Sequence, residues 1–467
     1  MKRSGGTLSS RTQVIGLAVI VVAVVFALTL LLLNLPFGSE TSDEQAAISP
    51  EPSAITATPQ VAPLPDDAPI PTNSGLSAVL AGPLANPDLG RFTGIVHDAK
   101  TGDVLWSSNE NSPMTPASTT KVLTAAAAMI ALPDDHRVET RVVKGQQDGQ
   151  IVVIAGGDTT LTAQPVGAPV FYAGGARIDD IAEQVRRSGV PVNSIVVDTS
   201  IYSGDLLAKG WFPADISGGS LAPMEPLMLD GARSNPLVDE SPRSTTPALD
   251  VGRAIASALG VDPAAVSSGT APQGADQLAS VQSAPLRQRL GQMMGLSDNL
   301  LAESVGREIA LEEGKPASFT GAVDAVISTL TTAGFNVNGV SQQDVSGLSV
   351  DNVIPARVLG DVVTAAATDS DASSERNVEL RPMLDYLPVA GATGTLADRY
   401  ASGDRTAAGW LRAKTGTLST ASALAGYVVD ASGRVLTFAL MSNDRPPEVG
   451  RPALDAVASA LRSCGCT

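Results

Sequence analysis

The stretch that most constrains the fold is residues 118–132, STTKVLTAAAAMIAL, which contains neither glycine nor proline and is almost entirely apolar after Lys121. A helix that is hydrophobic on every side must be enclosed by the rest of the fold. We therefore expect this helix at the centre of a globular domain, ending before Pro133. Its polar start, Ser118 to Lys121, includes a lysine that is costly to bury unless it has a function.

Ser118 and Lys121 have the spacing of a nucleophile and its base. Positions i and i+3 share one face of a helix, so the Lys121 amine reaches the Ser118 hydroxyl. Serine becomes a good nucleophile only when a base takes its proton, and a lysine does so when it is neutral. Burial or a nearby cation lowers the pKa of a lysine toward that state, and Lys414 is the candidate cation. The helix N-terminus also directs N–H groups at developing negative charge.

Composition excludes several other kinds of chemistry. The chain has only two histidines, His97 and His136. Metal sites built from imidazoles are therefore not expected, and neither histidine lies in a recognisable Ser-His-Asp setting. We predict no metal and no cofactor. The net charge of −17 and the pI near 4.5 argue against nucleic acid and anionic membrane surfaces as partners.

The tetrapeptide Ala-Lys-Thr-Gly occurs twice, at 99–102 and at 413–416. The first copy lies in RFTGIVHDAKTGDVLWSS, whose alternating apolar residues indicate a hairpin with Gly102 in its turn. The second copy precedes a β-rich segment, and a strand edge lined by Thr and Gly can pair with an extended peptide. We therefore interpret the first copy as a plain turn and predict that the second is functional.

The residues of the second copy have distinct predicted roles. We expect Lys414 and Thr415 to hold a substrate carboxylate, while Gly416 leaves room for a close approach. The backbone N–H of Thr417, together with that of Ser118, is a candidate oxyanion hole.

A third pattern, Ser297 and Asn299 in GLSDNLLAE, stands just before a helix. A short loop places both side chains on one side, where the Ser297 hydroxyl can shuttle a proton to a leaving amine and the Asn299 amide can hold a substrate amide. The alternative is that Ser297 is an ordinary N-cap of the helix that contains Glu303.

The ordered set Ser-x-x-Lys, Ser-x-Asn and Lys-Thr-Gly resembles the penicillin-recognising serine enzymes. The segments MTPASTTKVLTAAAA, AGGDTTL, DVSGLSVDNVIP, LPVAGATGTLADRY and LRAKTGTLSTASALAGYV resemble one branch more closely. This branch is the D-alanyl-D-alanine carboxypeptidase/endopeptidase family, the class C low-molecular-mass penicillin-binding proteins with an insertion between the first two motifs. The resemblance runs from about residue 78 to about residue 462.

The resemblance implies an α+β fold, in which a β-lactamase/transpeptidase-like domain with a five-stranded antiparallel sheet and a helical lobe is interrupted by an inserted lobe. It also implies an acyl-enzyme on Ser118, cleavage after D-alanine in peptidoglycan stem peptides, and inhibition by β-lactams. The expected function is that of a serine-type D-Ala-D-Ala carboxypeptidase, with DD-endopeptidase activity at the same site left open.

Patterning along the chain suggests a membrane-tethered ectodomain. Val14 to Leu33 are 20 uncharged residues, enough to span a bilayer, and basic residues precede them. The predicted segments are a cytoplasmic tail (1–13), an anchor (14–36), a Pro/Ser/Thr-rich linker (37–76), a split catalytic domain (77–137 and 284–467) and an inserted α/β lobe (138–283). The protein is then a single-pass membrane protein with its catalytic body outside the cytoplasm. A cleaved signal remains the alternative.

Several other readings stay open at this point. A serine β-lactamase needs a deacylating base, and Glu225 does not have the spacing of the class A loop. An esterase would leave Lys414 without a purpose. A catalytically silent wall-binding or drug-sensing module shares the same motifs. At the C-terminus, Cys464 and Cys466 either sit in a mobile tail, form a local disulfide or link to a partner.

Overall fold

A computed structural model describes residues 64, 65, 67–368 and 380–466. The helices are α1 (Asn73–Leu84), α2 (Lys121–Ala131), α3 (Ile178–Arg187), α4 (Asp215–Gly218), α5 (Pro247–Leu259), α6 (Leu286–Leu296), α7 (Asn299–Glu312), α8 (Phe319–Thr332), α9 (Ala356–Ala367) and α10 (Pro447–Ser463). The strands are β1 (Arg91–Asp98), β2 (Val104–Ser108), β3 (Pro113–Met114), β4 (Glu139–Lys144), β5 (Gln150–Ile154), β6 (Asp158–Leu161), β7 (Ser194–Asp198), β8 (Leu227–Leu229), β9 (Val266–Ser268), β10 (Gln277–Gln282), β11 (Ile354–Pro355), β12 (Leu411–Leu418), β13 (Ala421–Val429) and β14 (Val435–Asn443).

The predicted cytoplasmic tail and anchor, residues 1–36, lie outside the described part of the chain, as does most of the predicted linker 37–76. Among the described residues, no helix has the length and apolar character needed to cross a bilayer. The first described helix, α1, begins at Asn73, inside the last residues of the predicted linker, and buries Leu76 and Leu80.

The central sheet has five antiparallel strands in the order β12–β13–β14–β1–β2, which confirms the predicted sheet. The β1–β2 hairpin turns at Gly102, whose φ of 79° suits glycine. The first Ala-Lys-Thr-Gly is therefore a turn, as its pattern predicted. The C-terminal hairpin, β13–β14, joins this N-terminal hairpin through the pairing of β14 with β1.

Alternate residues of the strands supply two cores, one on each face of the sheet. Ala423, Ala425 and Met441 pack toward α2 and the helical lobe, α6 to α9. Leu424 and Leu440 pack on the opposite face with α1 and α10. The sheet therefore lies between two helical layers.

Helix α2 is buried as predicted, since residues 121–129 are all buried. The helix ends at Ala131, and Leu132, just before Pro133, has an extended backbone. One detail differs from the prediction, because Ser118 does not lie on the α-helix. It lies in a 3₁₀ turn, Ala117–Thr120, that leads directly into Lys121. The i, i+3 relation survives because a 3₁₀ turn also brings residues three apart onto one side.

The C-terminal tail is packed rather than mobile. Cys464 and Cys466 form a disulfide, and the Cys464 side chain is fully buried. The carbonyl of Cys466 accepts a hydrogen bond from the N–H of Thr72 at 3.0 Å. Of the three sequence alternatives, the local disulfide is the one that the structure contains. The hydrogen bond from Thr72 joins the tail to the start of α1.

Residues 138–283 contain a second five-stranded sheet, in the order β10–β4–β5–β7–β9. Its β5–β7 and β7–β9 pairs are parallel and the others antiparallel, and α3 and α5 share its hydrophobic core. Residues 138–283 thus combine helices and strands, as the prediction of an α/β lobe expected. The domain boundaries at 138 and 283 stay a prediction.

Candidate active site

The turn that carries Ser118 is held by its neighbours. The hydroxyl of Thr119 donates to the carbonyl of Pro116 at 2.7 Å, and that of Thr120 donates to the carbonyl of Ala117 at 2.9 Å. Ala117 itself has a φ of 48°, in the left-handed region. These local bonds satisfy the polar side chains of a buried turn and leave the half-buried Ser118 hydroxyl available to react.

Lys121 is fully buried and its amine contacts three oxygens. Nζ lies 3.1 Å from Ser118 Oγ, 2.7 Å from Asn299 Oδ1 and 2.7 Å from the carbonyl of Ser346. The last two oxygens can only accept hydrogen bonds. A neutral amine keeps two N–H groups for them, so its lone pair then faces Ser118, the one partner with a proton to give.

The environment also favours the neutral amine. Burial lowers the pKa of Lys121 from 10.5 to about 8, against the opposing charges of Asp344, Asp298 and Glu303. At neutral pH, roughly one molecule in ten then has the free base. The sequence assigned a role in this shift to Lys414, but burial is its cause. The pKa of Lys414 is instead lowered by its own burial and, second, by the charge of Lys121.

Asn299 is fixed in orientation by a backbone group of the predicted insertion. Its Nδ2 donates to the carbonyl of Ser220 at 3.0 Å, so Oδ1 faces Lys121. Ser220 lies between α4 and β8, in the predicted insertion. Residue 220, far from the motifs in sequence, therefore supplies a backbone group that holds a motif side chain.

Ser297 is not the N-cap of α7. It has a φ of 60° at the C-terminal end of α6, and the cap is Asp298, whose carboxylate accepts from the N–H of Leu301 at 2.9 Å. The hydroxyl of Ser297 is thereby free to accept from Lys414 Nζ at 2.8 Å. The plain-cap alternative for Ser297 is wrong.

Lys414 is fully buried and donates to Ser297 Oγ and to the carbonyl of Thr415, both at 2.8 Å. Burial, together with the nearby charge of Lys121, holds the pKa of Lys414 well below its usual value. Two of its three N–H groups are thus committed to protein oxygens. This geometry suits proton relay through Ser297 better than the direct carboxylate contact expected from sequence.

Gly416 is required by the turn, not by a substrate. A Cβ at this position would lie 2.5 Å from the carbonyl of Pro116 and 3.1 Å from the N–H nitrogen of Thr119. Glycine thus allows β12 to pass directly beside the Ser118 turn. The sequence prediction of a close approach was right in kind, but the approaching group is the protein's own backbone.

The outer edge of β12 is partly covered. Arg412 pairs with Val389, and the N–H of Ala413 donates to the carbonyl of Pro388. Alternate residues of an antiparallel strand direct their N–H groups to the same side, so those of Thr415 and Thr417 point outward as well. This arrangement suits the predicted oxyanion role of the Thr417 N–H, which stays a prediction.

A cavity of about 300 Å³ opens between these elements. Its lining combines motif residues with three that sequence reasoning missed, and comprises Ser118, Ser297, Thr395, Arg399, Thr415, Thr417 and Arg451. The hydroxyls of Thr395 and Thr415 lie 2.6 Å apart. The structure therefore brings together the residues of the three predicted motifs, although Lys121, Asn299, Lys414 and Gly416 do not line the cavity themselves.

Two buried carboxylates position the site from behind. Glu303 accepts from the N–H groups of Val345 and Ser346 at 2.9 Å each, which directs the Ser346 carbonyl at Lys121. Burial raises the pKa of Glu303 to about 7. Asp344 accepts from the indole of Trp211 at 2.7 Å. The sequence patterns predicted neither of these supports, although Asp344 lies in a segment, DVSGLSVDN, that resembles the family.

Asp298, between the two motif residues, is held by two side chains of the predicted insertion. The hydroxyl of Tyr172 donates to its carboxylate at 2.5 Å, and Arg233 lies 3.2 Å away. Burial alone would raise the pKa of Asp298, but Arg233, Arg243 and the Tyr172 hydroxyl outweigh burial and hold the pKa at about 2. The loop with Ser297 and Asn299 is thus anchored by a permanent charge.

The fold and this cluster of serines and lysines define a penicillin-recognising serine enzyme. Residues 76–244 and 237–463 match the D-Ala-D-Ala carboxypeptidase 3 (S13) family, and the chain belongs to that family. It is 51% identical over 458 residues to Carboxypeptidase DacB of Mycolicibacterium smegmatis, covering 97% of each chain. It is 50% identical over 425 residues to Carboxypeptidase Rv3627c of Mycobacterium tuberculosis, covering 90% of this chain and 91% of the relative.

A solved structure shares the fold. The crystal structure of penicillin binding protein 4 (dacB) from Haemophilus influenzae matches with a TM-score of 0.63 at 23% identity, covering 80% of this chain and 94% of that one. The expected α+β transpeptidase-like architecture is therefore confirmed for the described residues.

Proposed function

We propose that this chain is a serine-type D-Ala-D-Ala carboxypeptidase that acts on peptidoglycan stem peptides through an acyl-enzyme on Ser118. The observation that carries the proposal is the set of contacts around Lys121, which leaves only Ser118 as a proton donor to the neutral amine. The relatives named carboxypeptidases and the family match support the same activity.

Acylation begins when Lys121 takes the proton of Ser118 and Oγ bonds to the carbonyl carbon of the penultimate D-alanine. The negative oxygen that forms is met by the N–H groups of Ser118 and Thr417. The C–N bond then breaks, and the leaving amine receives a proton through Ser297, which is hydrogen-bonded to Lys414. The products are terminal D-alanine and an ester on Ser118.

Deacylation reverses the roles. The proton that Lys121 took from Ser118 first passes to the Ser297–Lys414 pair, which gave one to the leaving amine, so Lys121 is neutral again. Lys121 then takes a proton from water as the hydroxide attacks the ester carbonyl, and it returns that proton to the Ser118 oxygen as the ester C–O bond breaks. A β-lactam acylates Ser118 by the same first step, but its leaving nitrogen stays attached to the ring and obstructs water. The same steps cleave a cross-link when the leaving amine belongs to a second stem peptide.

Glu225 supports no β-lactamase alternative. Its carboxylate accepts from the N–H of Ala248 at 2.8 Å, at the start of α5, and it is not among the residues that line the cavity beside Ser118. We therefore favour slow hydrolysis of β-lactams over rapid turnover.

The test is release of D-alanine from a peptide ending in L-Lys-D-Ala-D-Ala. We expect the ectodomain to release one D-alanine per peptide, and Ser118→Ala to release none while unfolding at the same temperature. A peptide ending in D-Ala-L-Ala is the matched substrate control. Equal release of D-alanine by the wild type and by Ser118→Ala would contradict the proposal. So would a well-folded wild type that releases no D-alanine.

We further propose that residues 14–36 anchor the protein so that its catalytic body faces the cell wall. The uncharged length and the preceding basic residues support this topology. A protein with an N-terminal tag should keep that tag, stay in the membrane fraction and lose its ectodomain to protease added outside spheroplasts. Loss of the tag and release into the medium would indicate the cleaved signal instead.

A further inference from the structure

The cavity beside Ser118 is lined by cationic side chains in an otherwise acidic protein. The chain carries a net charge of −17, yet the charged residues that line this cavity are Arg399 and Arg451, and none of the described carboxylates lines it. An excess of positive charge in a cleft attracts anionic groups. The lining therefore indicates that part of the substrate bound here is an anion.

The two arginines differ in whether a carboxylate of the protein neutralises their positive charge. Arg399 donates from Nε to Asp455 at 3.1 Å, and both side chains are largely buried. Its charge is therefore neutralised within the protein. Arg451 lies one helical turn before Asp455 on α10, but Asp455 is committed to Arg399. In the described part of the chain, Arg451 has no ion-pair or hydrogen-bond partner, and its side chain is exposed to the cavity.

The start of α10 explains how Arg451 reaches the cavity. A Cβ on Gly450 would lie 3.4 Å from Ser422 Oγ and 3.5 Å from Ser442 Oγ. This turn of α10 thus rests on the ends of β13 and β14. Ser422 pairs across the sheet with Thr417, so Arg451 stands beside the end of β12 that carries Thr417.

The nearby lysine is poorly placed to meet an anion directly. Lys414 Nζ is buried and directed at Ser297 Oγ and at the carbonyl of Thr415. The residues that line the cavity on this side are Thr415, Thr417 and Arg451, which bring two hydroxyls and a guanidinium. Two hydroxyls and a guanidinium form a donor set that suits a carboxylate.

We propose that Arg451 binds the free α-carboxylate of the residue that leaves, so that the enzyme selects substrates with a free carboxylate at this position over those with a carboxamide. The inference rests on the proposed function, because it names the part of that substrate which Arg451 contacts. It predicts that a stem peptide or cross-link whose leaving residue is amidated is a poor substrate.

The test compares two peptides, one ending in D-Ala-D-Ala with a free acid and one ending in D-Ala-D-alaninamide. We expect Arg451→Gln to lower kcat/KM about ten- to thirtyfold for the acid, mainly through KM, and to leave the amide unchanged. Arg451→Lys should recover part of the loss. Arg462→Gln is the matched control, because Arg462 lies on the same helix but packs 4.3 Å from the ring centroid of Trp410.

A purely structural role for Arg451 would lower the rates of both peptides equally and would overturn the inference, as would an unchanged preference for the acid. These outcomes differ from failure of the proposed function, in which the wild type releases no D-alanine. In that event, acylation by benzylpenicillin and by its methyl ester replaces the peptide pair. If Arg451→Gln is acylated no faster by benzylpenicillin than by its methyl ester, the role of Arg451 is supported. If Arg451→Gln keeps the wild-type preference for the free acid, that role is contradicted.

Discussion

Replacing Lys121 with alanine is expected to slow acylation of Ser118 by about 10⁴-fold, the upper range for loss of a general base. The amine has no substitute, because the other groups that surround Ser118 Oγ in the cavity are hydroxyls and arginines. Stopped-flow measurement with a chromogenic β-lactam gives the acylation rate. Lys121→Met, which fills the same volume, is the second variant in case alanine leaves a destabilising cavity.

The wild-type pH profile adds an independent readout of the same group. The neutral amine is the base, and it exists above the pKa of about 8. The acylation rate should therefore rise about tenfold per pH unit below pH 7 and level off above about pH 9. A rate that is constant from pH 6 to 9, or a Lys121→Met variant that acylates at the wild-type rate, would remove Lys121 from its role.

Replacing Lys414 with alanine is expected to slow D-alanine release by about 10²-fold. The Lys414 amine donates a hydrogen bond to the Ser297 hydroxyl at 2.8 Å. Without Lys414, the Ser297 hydroxyl is no longer oriented and has no group from which to regain the proton that it gives to the leaving group. The loss should appear in kcat, since the Lys414 amine is buried behind the cavity wall.

The other copy of Ala-Lys-Thr-Gly offers a matched control. Lys100→Ala makes the same change in the same tetrapeptide, in the turn between β1 and β2. It should leave kcat and KM unchanged. Equal effects of the two substitutions would mean that the tetrapeptide acts through stability alone, and an effect of Lys414→Ala confined to KM would restore the carboxylate role expected from sequence.

Contacts in the site between residues close in sequence were predictable from the sequence, and contacts between residues far apart in sequence were not. The Ser118 and Lys121 pair follows from a spacing of three residues on a buried helix. The contact between Lys414 and Ser297 joins residues 117 positions apart, and only the resemblance to a known family brought these motifs together. Backbone acceptors, such as the carbonyls of Ser220 and Ser346, cannot be predicted from residue types, because every residue has a backbone carbonyl.

The fold shows the same division. The β1–β2 hairpin of the main sheet was visible from its alternation and its turn residue, whereas the pairing of Arg91 with Asn443, which joins β1 to β14, depends on tertiary packing. Ser297 shows how a local pattern misleads: serine is a good N-cap, but the chain at this point has φ of 60°, so Asp298 takes the cap. Arg451 belongs to no motif and became visible only through the cavity.

The most direct test is to find the atom on which the acyl group forms. The ectodomain is incubated with benzylpenicillin, digested and analysed by mass spectrometry. We expect one penicilloyl group per chain, on the peptide that contains Ser118, and none on Ser118→Ala. An adduct on another residue, or none on folded protein, would contradict the assignment of Ser118 as the nucleophile that Lys121 activates.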